Sequence, residues 1–170
     1  MILTNYFNTF FGNVFKSYGS SIGGIDDSIL TWAASLGAIC NSLSRLMFGK
    51  LIDKIGFKKL YAILLSLQLT NTVLAYVCVK ITPIYFICVL VNFFCLGASF
   101  ICMPAGCARV FGTKWGTSVY SMVLVGSLVA SMLNIPNAKM IDISGSFFLS
   151  FFSTFLSTLL AIAVLYSFKE

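Results

Sequence analysis

Residues 45–59 read RLMFGKLIDKIGFKK. Arg45 lies inside an otherwise apolar run, three residues before its end, and two glycines, Gly49 and Gly56, frame a short charged segment. Lys58 and Lys59 follow before the apolar pattern resumes at Leu60. Charge gathers here while the rest of the chain nearly lacks it: 9% of the 170 residues are charged, 59% are hydrophobic and histidine is absent. The mean hydropathy is +0.97. A soluble domain keeps roughly a quarter of its residues charged to stay dispersed. With so few charges, bilayer must cover most of the exterior, and 45–59 becomes a turn between two membrane-spanning helices.

Working outward, five further apolar runs separated by short punctuators flank the one that ends at Phe48. The six runs are Ile2–Phe15, Ser28–Phe48, Leu60–Val79, Pro83–Ala108, Gly116–Leu133 and Phe147–Phe168. A helix crosses the hydrocarbon with about 20 residues, and all but the first run come near that length. The first starts at Met1 without a polar flank and reads as the tail of a longer helix, a truncated first span. Residues 1–27 offer no basic segment and no small-residue cleavage site, so they do not read as a secretory leader. Alternating strands of about ten residues would mark a β-barrel; these runs are continuously apolar. The fold class is therefore all-α, polytopic and transmembrane.

The six cysteines form no CxxC pair, and no histidine is present to complete a mixed metal site. Cys88, Cys95 and Cys102 recur every seven residues and so share one helix face, as small packing residues do. Without a His/Asp/Glu cluster, an enzyme is the least expected class, and no cofactor signature is present.

Alternate loops divide the charges unevenly. Lys50, Lys54, Lys58, Lys59, Arg109, Lys114 and Lys169 fall on one side, with Lys16, Lys80, Lys139 and the acidic Asp26, Asp27 and Asp142 on the other. Lys/Arg excess marks the cytoplasmic face, so the 2–3 and 4–5 turns and the C-terminus are expected inside. The formal charge of +6 reflects this bias, and no soluble basic face remains for nucleic acid.

Arg45 lies toward the cytoplasmic end of the second run. A guanidinium inside the membrane is costly unless it faces protein or water, and such residues mark solute paths. Two roles stay open from physics alone: contact with an anion, or a structural bolt that snorkels to headgroups or pairs with Asp53. Asn41, four residues earlier, shares its face. Asn13 and Asn92 are weaker candidates for a pathway. Gly49 reads as a site of close helix approach, Gly56 as a backbone bend, and Lys58 and Lys59 as headgroup anchors. Gly126 and Ala130 form a small-xxx-small pair, and Pro136 marks an outer turn before the last helix.

Gly49, Leu51, Asp53, Lys54, Gly56, Lys58 and Lys59 together resemble the loop signature GxLxDRxGRRxx of the major facilitator superfamily, with Phe57 departing from a basic position. Asn41, Arg45 and Gly49 resemble the NxxGR pattern of monocarboxylate transporters and oxalate:formate antiporters, with Ser44 in place of its glycine. Lys16 with Tyr18–Gly19, the pair Asp26–Asp27, then Gly97, Pro104, Phe111 and Gly112, and finally Gly116 and Tyr120 extend the likeness over about residues 6–125. The resemblance implies the C-terminal six-helix half of a twelve-helix transporter. Residues 1–170 would form that half as a 3+3 inverted repeat, 1–79 and 83–168 being its two units.

Carried over, Arg45 looks like a substrate-contacting arginine, with Asn41 beside it. Gly49, Asp53, Gly56, Lys58 and Lys59 look like the gating loop. The implied partners are a small carboxylate-type solute, a co-transported proton, the bilayer, and an N-terminal six-helix half. Members that carry oxalate hold a second basic residue deep in the fifth helix; Thr117–Leu133 has none, which favours a one-carboxylate solute, or one that is not anionic at all, over oxalate. The competing expectation is a truncated, non-transporting membrane protein or partner subunit.

Overall fold

A computed structural model describes residues 2–167, which fold into α-helices joined by short turns. The helices are α1 (Ile2–Ser21), α2 (Asp27–Ile55), α3 (Phe57–Val77), α4 (Thr82–Met132), α5 (Asn134–Ser144) and α6 (Phe148–Ser167). α4 is two helical arms broken at Gly112, whose backbone sits at φ 74°, ψ 163°. Leu133 keeps helical angles (−65°, −16°), so the second arm continues into α5. Four segments are long and apolar enough to span a bilayer: Phe57–Val77, Thr82–Gly112, Lys114–Ile141 and Phe148–Ser167. α1 and α2 reach about 30 and about 43 Å at 1.5 Å per residue, but each carries a polar face. The chain is an all-α, multi-pass integral membrane protein.

Several boundaries differ from the sequence reading. α1 continues past Phe15 to Ser21, because nothing between Lys16 and Ser21 breaks a helix before Gly23 and Gly24. α2 runs past Phe48 to Ile55, so Gly49 and Asp53 belong to its last turns. The expected 49–59 turn shrinks to Gly56 alone, at φ 90°, ψ 157°, a region that essentially only glycine populates. Pro136 does not end the segment: Leu133 keeps helical angles just before it and α5 runs on through it, at the cost of the bond that its missing N–H cannot make to the carbonyl four residues earlier. The turn before α6 is made by Gly145 at φ 62°. Lys169 and the C-terminus lie outside the described residues.

α4 is the central element and packs against α1, α2 and α3, while α6 covers α1 and α3. Two glycines permit the tightest approach of α2 to α4. A Cβ on Gly37 would enter the Phe93 ring, and one on Gly97 would collide with the Asn41 carbonyl and the Ser44 hydroxyl. Gly49, by contrast, has only the Ile101 side chain at 3.9 Å, an ordinary contact. One core cluster joins Phe7, Phe11, Tyr18, Tyr85 and Phe151. The other joins Phe48, Leu60, Leu64, Leu65, Cys95 and Cys102. Cys88, Cys95 and Cys102 are all buried.

Candidate functional site

At about 100° per residue, α2 divides into three faces. Leu30, Ala33, Gly37, Ser44, Phe48 and Ile52 are buried against the bundle. Trp32, Leu36, Ile39, Leu43, Leu46 and Met47 are exposed and form an apolar strip. Between these faces runs Asp27, Thr31, Ser35, Ala38, Ser42 and Arg45, all exposed and within an arc of about 80° on the helix wheel. Thr31, Ser35 and Ser42 each return their hydroxyl to the carbonyl four residues earlier. That bonding lets polar side chains stay on a membrane helix.

α1 extends this surface. Asn13, Ser17 and Ser20 are exposed on one of its faces. Lys16 Nζ donates to Thr31 Oγ1 at 2.8 Å and approaches Asp27 Oδ1 at 3.5 Å, which joins the two polar faces at one end. At the other end Arg45 is exposed, with its guanidinium 5.6 Å from the Phe100 ring centroid. Arg45 has no carboxylate partner among the described residues: the ion pairs there are Lys16–Asp27 and Arg109–Asp53. A guanidinium held over a ring and left unpaired can take a carboxylate through two parallel hydrogen bonds.

The predicted residues divide into separate groups. Arg45 and Asn13 lie on the exposed polar surface. Asn41 sits at its edge, half-buried, with its amide donated to the Phe93 carbonyl at 3.1 Å. Asn92 is 1% exposed and donates to the Asn8 carbonyl at 3.4 Å inside the bundle. The signature residues cluster at the Arg45 end, where Arg109 Nη2 donates to the Ile52 carbonyl at 2.9 Å and stands 3.8 Å from Asp53. Arg109 was legible in the sequence only as a loop charge. Phe57 stacks on Tyr61 with centroids 5.4 Å apart and occupies the space a Cβ on Gly106 would need. Its departure from the signature thus serves packing. Lys58 is half-buried and Lys59 exposed. Among the described residues no three His, Cys, Asp or Glu side chains gather as a metal site requires.

The fold and this surface define a multi-pass membrane protein with an exposed polar stripe along α2. No family model matches the chain. Over 113 residues, 64% of its length, it is 30% identical to apicoplast pyruvate carrier 1 of Toxoplasma gondii. The match spans about a fifth of that protein, 20% of its length.

Proposed function

We propose that this chain is the C-terminal six-helix half of a major facilitator-type carrier that moves a small monocarboxylate-like anion by alternating access. The observation that carries the reading is the exposed polar stripe of α2 that ends in an unpaired arginine. Lipid is a poor solvent for such a surface, and a water-filled path shared with a second helical half suits it. Arg45 grips the carboxylate, Phe100 supports the guanidinium, and the hydroxyls of Ser42, Ser35 and Thr31 line the way toward Lys16. Asn41, fixed to Phe93, holds α2 on α4 beside the path. Likeness to a pyruvate carrier supports the solute class, and the absence of a second cation along Thr117–Leu133 favours one carboxylate. The gate is the Gly56 joint with Asp53, Lys58, Lys59 and Arg109, on the cytoplasmic side by the lysine and arginine bias. A proton coupled to the solute would need its carrier group in the other half.

Uptake of radiolabelled pyruvate and lactate into vesicles of the native membrane assembly tests this reading. Uptake that depends on Arg45 supports it. An assembly that contains the chain and takes up neither solute would make this a membrane partner subunit without transport of its own.

A further inference from the structure

Away from that surface, polar side chains converge inside the bundle from four helices. Thr4 and Asn8 lie one turn apart on the inward face of α1. Thr4 shares a hydrogen bond with the Tyr61 hydroxyl at 2.7 Å. Gln68 Nε2 of α3 donates to the Thr4 carbonyl at 3.0 Å and approaches Thr158 Oγ1 of α6 at 3.4 Å. Asn92 Nδ2 of α4 donates to the Asn8 carbonyl at 3.4 Å. Asn8 and Gln68 are fully buried and Asn92 is 1% exposed. Among the described residues, Asn8 Nδ2 and Oδ1, Gln68 Oε1 and Asn92 Oδ1 have no hydrogen-bond partner.

Reorienting amides does not remove these orphans. Both Asn8 atoms are unpartnered, so rotating that amide exchanges one for the other. Turning Asn92 would bring its oxygen against the Asn8 carbonyl. Within a membrane the surrounding lipid supplies no hydrogen bonds, and buried polar groups of this kind are satisfied by internal water. The chemistry of the set selects the guest. The set holds one unpaired amide N–H₂ and three unpaired amide oxygens, so its guest must both accept and donate, as water does. A metal cation would leave the Asn8 amide facing a positive charge. Among the described residues acidic compensation is also lacking, since Asp26, Asp27 and Asp53 are all exposed.

We propose that Asn8, Gln68 and Asn92 form an internal water-binding site that ties α1, α3 and α4 together at membrane depth. Water accepts from Asn8 Nδ2 and donates to the unpaired amide oxygens, and with two O–H donors per molecule the three oxygens call for more than one water. Magic-angle-spinning NMR of the ¹⁵N-asparagine-labelled chain in bilayers tests this by polarisation transfer from water to side-chain amides. The Phe7–Asn8 pair occurs once in the sequence, so pairwise labelling assigns Asn8 without a variant. The expected result is a water cross-peak to the Asn8 amide in the wild-type chain that falls at least twofold in Asn92→Leu. Absence of that cross-peak at mixing times where the exposed Asn13 amide shows one overturns the proposal. Asn8 shifts that follow sodium or potassium at constant ionic strength would overturn it too and put a cation there.

Discussion

The Arg109 guanidinium donates to the Ile52 carbonyl at 2.9 Å, so a side chain of α4 caps the last turn of α2. The Gly56 amide reaches the same carbonyl at 3.1 Å. The end of α2 is thus closed from two directions at the point where the backbone leaves the helix. Asp53 is the looser member, with its carboxylate 3.8 Å from the guanidinium and 82% exposed.

Exposure decides which of these contacts matters for stability. A solvent-facing ion pair contributes about 0–1 kcal/mol, whereas a hydrogen bond from a charged donor contributes about 1.5–3 kcal/mol. Arg109→Ala should therefore lower the unfolding free energy in detergent by about 1.5–3 kcal/mol, and Asp53→Asn by less than about 1 kcal/mol. Equal losses in the two variants would mean that the ion pair is the true clamp.

The signature glycines should separate in the same assay. Gly56 and Gly112 have backbone angles that side chains strongly resist, so Gly56→Ala and Gly112→Ala should each cost about 1–3 kcal/mol. Gly49 is helical and uncrowded, so Gly49→Ala should be neutral or gain up to about 1 kcal/mol. Gly97→Ala must push α2 from α4, at a cost of about 1–3 kcal/mol. A costly Gly49→Ala would restore that residue as a site of close approach.

The number and type of helices were legible because hydropathy alone separates the apolar runs. Boundaries were harder. The segment Lys50–Ile55 looks like a loop by charge, yet it contains good helix formers and ends only where Gly56 leaves helical angles. Pro136 looks like a turn because proline disfavours helix interiors, yet the backbone stays helical on both sides of it. Within the site, Arg45 stood out as a charge in an apolar run. The hydroxyls of Thr31, Ser35 and Ser42 did not, because their shared stripe depends on which face of α2 is buried. The fate of Asn92 was likewise invisible, since an asparagine in a membrane helix suits a pathway and a buried contact equally.

The segment Lys114–Ile141 is bare on most of its surface; only 6% of its most apolar window is buried. It is held to α1 by polar bonds, Asn5 to Ser127 at 2.9 Å and Asn134 to Thr9 at 2.8 Å, with Asn137 on Tyr6. Hydrogen bonds between membrane helices average about 0.6 kcal/mol and reach about 1.7 kcal/mol. Asn134→Ala should destabilise within that range and speed amide exchange chiefly over residues 114–141. Uniform acceleration across all helices would show that the seam is not local.

The three faces of α2 predict a labelling pattern. In a cysteine-free background assembled in its membrane, cysteines at Ser35 and Ser42 should react with a water-soluble maleimide, and those at Leu36 and Leu43 should not. Reaction at all four sites, or at none, would remove the aqueous stripe.

The most direct test concerns Arg45 itself. Its side chain is exposed and, among the described residues, is tied only to the Phe100 ring, an interaction of about 0.5–1 kcal/mol, so substitution should barely affect folding. Pyruvate uptake by the native assembly, measured for wild type, Arg45→Lys and Arg45→Ala at matched expression, separates carboxylate binding from a structural role. The account predicts wild-type uptake, at least a tenfold rise in the half-saturating concentration for Arg45→Lys, and loss of uptake for Arg45→Ala. Wild-type kinetics in Arg45→Ala would contradict it.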